Sequence, residues 1–228
     1  MIAALARVPV TRLARTPRSW VPIAAWLALG LALAALARSE GAPNGADHVL
    51  VGAFGAFVVP LLAYTLVGGC IGGGSLRASV ASTVAFGAPP ARSAAVTVGL
   101  GVLVAAGLCA ALGAVLAAVA HGVDDPPVAR DVLTSAYAGA LGGAAYAALF
   151  ALGASLGRRG GGRAMMLVAD WILGSNDSAV ALLAPRAHLR NLLGGSPPWG
   201  MGERGSAVAL LVLTLVLAAV AVRRVRRG

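Results

Sequence analysis

The stretch "SLRASVASTVAFGAPPARSAA", residues 75–95, separates two long apolar segments of the chain. It is more polar than either neighbour, and its residues follow the period of a helix. The apolar stripe consists of Leu76, Val80 and Val84, and the polar side of Ser75, Ser79, Ser82 and Thr83. The glycine and the prolines of residues 87–90 then end the helix. The stretch therefore predicts a short amphipathic helix, residues 75–86, held between two membrane spans.

The composition indicates a polytopic membrane protein. Of 228 residues, 59% are apolar and only 11% are charged, and the mean hydropathy is +0.86. A soluble domain carries roughly a quarter charged residues, which excludes that class. The two cysteines, Cys70 and Cys109, lie in apolar segments without a CxxC motif, so the sequence favours neither a disulfide framework nor a metal site.

Membrane spans can be recognised by length, because about 20 apolar residues of helix cross a hydrocarbon core of about 30 Å. Five segments are long enough or nearly so: 20–37, 49–71, 93–120, 132–156 and 206–222. A sixth, 164–174, is short and contains Asp170. We interpret the first segment as a span rather than a cleaved signal peptide. The predicted fold is all-α, with six transmembrane helices in a single domain, 1–228.

Two further segments complete the predicted architecture. Residues 1–19 predict a basic helix lying along the membrane interface, or simply a charged flank without a further role. Its apolar face would consist of Val10, Leu13 and Ala14, and its basic face of Arg12 and Arg15. Residues 178–195 mix apolar and basic side chains, and they either re-enter the membrane or form an outer loop packed on the spans.

The arginines predict the orientation. With 164–174 counted as a span, both termini and two loops share one side, which holds thirteen of the eighteen arginines and no acidic residue. These are Arg7, Arg12, Arg15, Arg18, Arg77, Arg92, Arg158, Arg159, Arg163, Arg223, Arg224, Arg226 and Arg227. Because an excess of arginine marks the cytoplasmic face, we expect both termini and the helix 75–86 on the cytoplasmic side of a bacterial inner (plasma) membrane. This distribution favours a membrane over nucleic acid as the partner of the basic charge.

Glycines and one aspartate are the candidate residues inside the spans. Gly139, Gly142 and Gly143 in the fourth span, and Gly99, Gly101 and Gly107 in the third, either allow helices to approach closely or reflect the Ala- and Gly-rich composition. Asp170 lies either at membrane depth, paired with Arg163 or a polar cavity, or at the outer interface. An ionisable side chain at membrane depth is costly, which makes Asp170 a candidate for the substrate path.

Gly74, Ser75 and Leu76, followed by "GAPPAR" at 87–92, resemble the Gly-Thr-Leu run and the later Pro-x-x-Arg-like turn of the permease subunits of ABC-2 type exporters. The order of segments is also similar: a basic interfacial helix, six spans with both ends inside, a cytoplasmic helix after the second span, and an outer segment after a short fifth span. The resemblance covers essentially the whole chain. It implies that residues 75–86 are a coupling helix that docks into a separate ATPase.

The resemblance also implies a site and partners. The ATPase-coupling residues would be Arg77, Ser79, Ser82, Phe86 and Arg92. ATP and Mg²⁺ would bind to the partner ATPase, since this chain has no lysine and no P-loop, and we expect no cofactor and no enzymatic activity on this chain. Two permease subunits, as a homodimer or a pair with a related chain, would move a hydrophobic or amphipathic substrate.

Other functions stay open. The chain could be a structural or assembly subunit of a larger membrane complex, with residues 75–86 only covering the membrane surface. An ion-coupled carrier should bury more charge than Asp170 alone. A serine protease would need Ser155 within reach of His188, but the predicted topology places these side chains near opposite faces. The histidines lack the spacing of metal ligands.

Overall fold

The computed structural model describes residues 2–15, 17–41, 45–122, 127–157 and 160–227, and all regular secondary structure within them is helical. The α-helices are α1 (Ile2–Arg15), α2 (Pro17–Glu40), α3 (Gly45–His48), α4 (Val59–Ile71), α5 (Leu76–Ala85), α6 (Pro90–Ala120), α7 (Val128–Ser155), α8 (Gly162–Gly174), α9 (Pro185–Leu192) and α10 (Glu203–Arg227). A π-helical segment, Val49–Val58, joins α3 to α4, and two 3-10 turns, Ala179–Leu183 and Pro198–Gly200, flank α9.

Among the described residues, five helical segments are long and apolar enough to cross a membrane. They lie in α2, in the continuous rod from α3 to α4, in α6, in α7 and in α10. The predicted all-α fold is therefore confirmed, and its long apolar helices are typical of a multi-pass membrane protein, while the count of six spans stays a prediction. Helix α8 has 13 residues, about 20 Å of helix, which is shorter than a hydrocarbon core of about 30 Å.

Glycines set the distance between α6 and α7. A Cβ atom on Gly143 would stand 2.6 Å from the carbonyl oxygen of Ala105, and one on Gly139 would also collide with the backbone of α6. The predicted helix interface is thus confirmed for the glycines of α7. Two of the predicted glycines on α6, Gly99 and Gly107, have open space beside them within the described chain, so they do not contribute to this interface.

The rod from α3 to α4 is irregular next to Pro60. Proline has no N–H to donate to the carbonyl four residues earlier, here that of Ala56. Arg186 Nη1 donates to this oxygen at 2.8 Å. The π-helical segment ends at Val58, two residues before Pro60. The irregular backbone leaves the Ala56 carbonyl oxygen accessible to Arg186 of α9.

Several helix ends lie together at one end of the bundle, and they carry described arginines of the side that the sequence predicts to be cytoplasmic. Arg12 of α1 donates to the carbonyl oxygens of Cys70 at 3.3 Å and Ile71 at 2.9 Å, at the C-terminus of α4, and to that of Ser79 in α5 at 3.3 Å. The loop between α7 and α8 packs on the same turn, because Gly160 lies against the Gly74 carbonyl. We call this region the basic end. Arg158 and Arg159 lie outside the described residues.

The prediction for the faces of α1 needs a correction. Leu13 is buried as expected, but Val10 and Ala14 are exposed. Arg12, which was predicted to face away from the apolar side, points into the bundle because the carbonyl oxygens of Cys70 and Ile71 at the C-terminus of α4 attract a guanidinium, which also reaches the Ser79 carbonyl within α5.

Helix α9 lies inside the bundle, among α7, α10 and the π-helical segment. Leu189 fills the space left by Gly142, near the middle of α7, and also approaches Gly55. Most side chains of α9 are buried, as listed here: Pro185, Ala187, His188, Leu189, Asn191 and Leu192. Within the segment 178–195, which the sequence left open between a loop and a re-entrant helix, α9 is thus packed between the long helices, whereas Val180 and Leu183 before it are exposed.

Candidate functional site

The first candidate site is the exposed face of α5, which is fixed at both ends by capping. The Ser75 hydroxyl accepts a hydrogen bond from the Ala78 N–H at 3.2 Å, which satisfies one free donor at the helix start. At the other end, Gly87 has a φ of 86° and donates to the Val84 carbonyl at 2.9 Å. Ala88 donates to the Thr83 carbonyl at 3.1 Å, which completes a Schellman motif.

The inner face of α5 is firmly packed. Leu76 and Val80 are buried in the hydrophobic core, and Val84 packs against it. This agrees with the apolar stripe expected from the sequence. Since α5 is also bonded to Arg12, a force applied to the helix would reach α1 and α4 rather than bend α5 alone.

The outer face of α5 carries most of the predicted coupling residues. Arg77 and Ser82 of α5 are exposed, as is Arg92 in the first turn of α6, and Phe86, directly after α5, is 92% exposed. Ser79 is the exception: it is 7% exposed, and its hydroxyl donates to the Leu76 carbonyl at 2.7 Å. The expected exposure of Ser79 is therefore wrong, because its position falls on the side of α5 that Arg12 clamps to the bundle.

The second candidate site surrounds Asp170, which is 3% exposed. Its Oδ2 accepts a hydrogen bond from the Tyr146 hydroxyl at 2.7 Å, and its Oδ1 accepts one from the backbone N–H of Arg186 at 3.2 Å. Tyr146 is nine residues before the end of α7 at Ser155, about 14 Å along the helix. Asp170 is therefore buried inside the bundle, while its depth in a membrane stays a prediction.

Of the two surroundings considered for Asp170, the pairing with Arg163 is not observed among the described contacts. Arg163 donates from Nη2 to the Gly72 carbonyl at 3.3 Å and lies over the ring of Tyr64. The carboxylate instead caps the start of α9, where backbone N–H groups are unpaired and favour an anion. Sequence reasoning missed Tyr146. The signal for it was a phenol in the middle of an apolar span, because a buried hydroxyl needs a partner.

Arg186 joins α9 to the rod and to α8. Its guanidinium lies 5.9 Å from the ring centre of Phe57 and 5.8 Å from that of Trp171, while Nη1 bonds to the Ala56 carbonyl. A cavity of about 190 Å³ opens beside it, lined in part by Ser175 and Arg190. Arg190 in turn forms an ion pair with Asp177. This arrangement places two cations beside a small cavity at the α9 side of the bundle.

A buried polar cluster holds α9 against α10. His188 and Ser206 are both fully buried, with His188 Nδ1 3.2 Å from the Ser206 hydroxyl and Nε2 2.9 Å from the Leu182 carbonyl. The Asn191 amide donates to the same hydroxyl at 2.9 Å. Because every member has a partner and the serine is inaccessible, the cluster fixes α9 in place and leaves no free nucleophile. Ser155 bonds to the Leu152 carbonyl.

The described residues contain no group of three or more metal-ligating side chains. No family model, curated protein or solved structure matches the chain. The function is therefore inferred from the two sites themselves.

Proposed function

We propose that this chain is the membrane-spanning permease subunit of an ATP-driven exporter. The observation that carries the proposal is the exposed face of α5, with a 92% exposed Phe86 on a helix fixed at both ends. A large apolar ring held in open space at the polar end of a membrane bundle is typical of a contact for another protein. By this proposal, a separate ATPase receives Phe86 in a groove.

The charge distribution supports a cytoplasmic position for this face. The described arginines of α1 and α5 lie at the basic end, together with Arg223 at the end of α10. The described acidic residues other than Asp170 lie toward the opposite end. By the positive-inside rule, the basic end faces the cytoplasm, where ATP is available. In this topology α8 is a short fifth span, and α9 is a re-entrant helix that enters from the outer side.

The contacts of α5 suggest how ATPase movement would reach the bundle. Arg12 ties α5 to the end of α4, and the Gly74 turn before α5 lies against Gly160, two residues before α8 begins. Helix α8 carries Asp170, which caps α9. A displacement of α5 would thus be passed to α8 and α9, the elements beside the cavity of Arg186. Two such subunits would open and close a path between them for an apolar or amphipathic substrate.

Copurification from the native host in mild detergent tests this proposal. We expect a stoichiometric P-loop ATPase with the wild-type chain, and its loss from Phe86→Asp and Arg77→Glu. Both side chains are exposed, so these variants should keep the wild-type elution volume and thermal stability.

Matched substitutions at the opposite end are the controls. Trp199→Asp changes another exposed aromatic residue, and Arg130→Glu another exposed arginine. Both should retain the ATPase. If no ATPase accompanies the wild-type chain, or if all four variants retain it equally, the permease proposal fails and a structural or assembly subunit becomes the better description.

A further inference from the structure

At the basic end, a groove of about 430 Å³ runs between α2 and α4. Its walls are mostly apolar or small, with Trp26 on α2 and Leu61 and Gly68 on α4. Its lining also includes Tyr64 and Thr65 of α4 and the guanidinium of Arg163, which is the charged group of the groove. We propose that the groove binds one anionic phospholipid from the leaflet at this end, with the phosphate on Arg163 and an acyl chain along α4. This goes beyond the proposed function, because it holds whether or not an ATPase binds.

Arg163 is built into the bundle, and its Nη1 group is left without a hydrogen bond to the described chain. The side chain is 9% exposed, and its Nε and Nη2 donate to the carbonyl oxygens of Gly160 and Gly72. Nη1 makes no hydrogen bond to the described part of the chain, and it lies at the groove, where a Cβ on Gly68 would come within 3.0 Å of it. A buried guanidinium without a carboxylate is costly, and a phosphate oxygen would satisfy it.

The length of the groove fits one leaflet. Leu61 lies ten residues before Ile71, the last residue of α4, which corresponds to about 15 Å of helix. That is half of a hydrocarbon core of about 30 Å. The charged group is therefore at the level of the headgroups, while the apolar wall extends to the middle of the membrane, as a phospholipid requires and a free phosphate does not.

The surrounding charge selects an anionic lipid. Arg7 and Arg15 lie exposed on the neighbouring α1, and in the described chain no acidic side chain lies at this end to offset them. Clusters of arginine at a membrane surface attract anionic headgroups. We therefore expect phosphatidylglycerol to bind more tightly than zwitterionic phosphatidylethanolamine.

Native mass spectrometry of the full chain in detergent, titrated with each of these two lipids, tests the proposal. We expect one phosphatidylglycerol retained per chain, and about tenfold weaker retention in Arg163→Gln, since a charged hydrogen bond is lost. Gly68→Leu should weaken retention similarly, because its side chain occupies the groove beside Nη1. This variant keeps the test valid if Arg163→Gln folds poorly, because leucine favours a helix over glycine.

Two matched controls should bind the lipid as the wild type does. Arg77→Gln removes an exposed arginine at the same end, and Gly107→Leu adds the same side chain where the described structure leaves open space. The proposal is overturned if the wild type retains no lipid, if Gly68→Leu retains as much as Gly107→Leu, or if inorganic phosphate displaces the lipid at equal concentration. Equal retention of the two lipids would overturn the anionic preference.

Discussion

Arg12 determines how the basic end is held together. Its guanidinium donates to three backbone carbonyl oxygens on two helices, α4 and α5. The oxygens of Cys70 and Ile71 lie at the C-terminus of α4, where carbonyl groups lack donors within the helix and the helix dipole favours a cation. Arg12 therefore ties α5 to the end of α4, in addition to the core packing of Leu76 and Val80.

We predict that Arg12→Gln lowers the free energy of unfolding by about 2 kcal/mol, because charged hydrogen bonds are lost. In a chain of this length that corresponds to a fall in Tm of about 5 °C. Thermal unfolding in detergent, followed by intrinsic fluorescence, measures it. Arg7→Gln, an exposed position on the same helix, is the control and should leave Tm unchanged. An equal Tm for both variants would show that the clamp does not stabilise the fold.

At the residue scale, sequence reasoning found the candidates but not their partners. Asp170 was a candidate because it lies in an apolar segment, whereas its bonds to Tyr146 and to the start of α9 are contacts between distant segments. Ser79 was predicted to be exposed for a similar reason. A helical wheel of α5 shows only the residues of α5, whereas Arg12 contacts Ser79 from another helix. Periodicity describes one helix at a time, and neither contact lies within one helix.

At the scale of elements, the glycines of α7 are the main determinant of packing. Gly143 allows the backbone of α6 to approach so closely that a Cβ atom would stand 2.6 Å from the Ala105 oxygen. In a membrane, such close contact replaces the hydrophobic effect as a source of helix association. The glycines of α7 thus determine how closely its neighbours pack at the centre of the bundle.

We predict that Gly143→Leu destabilises the protein by about 1–3 kcal/mol, the usual cost of overpacking, despite the better helix propensity of leucine. Folded yield by size-exclusion chromatography and Tm measure the effect. Gly107→Leu introduces the same residue into open space on α6 and should be neutral or slightly stabilising. If both variants behave alike, the contact between α6 and α7 is not the reason for glycine at this position.

The short amphipathic helix and the long spans could be predicted from sequence because each has a local signal. Ser75 at the start of α5 and the Gly87 turn at its end are capping residues, and the observed helix, Leu76–Ala85, lies within the predicted 75–86. The burial of α9 had no such signal. Its mixed composition fits an outer loop equally well, and its position is explained by contacts with distant segments, among them the space left by Gly142 and the bond to Ser206.

At the scale of the whole molecule, the fold separates two kinds of surface. The basic end presents a rigid α5, while the opposite half holds α9 and the cavity beside Arg186 between the long helices. Hydropathy and charge predicted this division because both reflect the membrane. The sequence predicts the binding partner less well, because partner binding depends on the shape of an exposed face rather than on burial.

Site-specific photocrosslinking at position 86 tests most directly whether α5 docks an ATPase. With Phe86→p-benzoylphenylalanine in native membranes, ultraviolet light should produce an adduct that contains a P-loop ATPase, identified by mass spectrometry. The same substitution at Trp199, an exposed aromatic residue toward the opposite end, should yield no such adduct. An ATPase adduct from position 199 but none from position 86, or adducts from position 86 with lipid alone, would contradict the account.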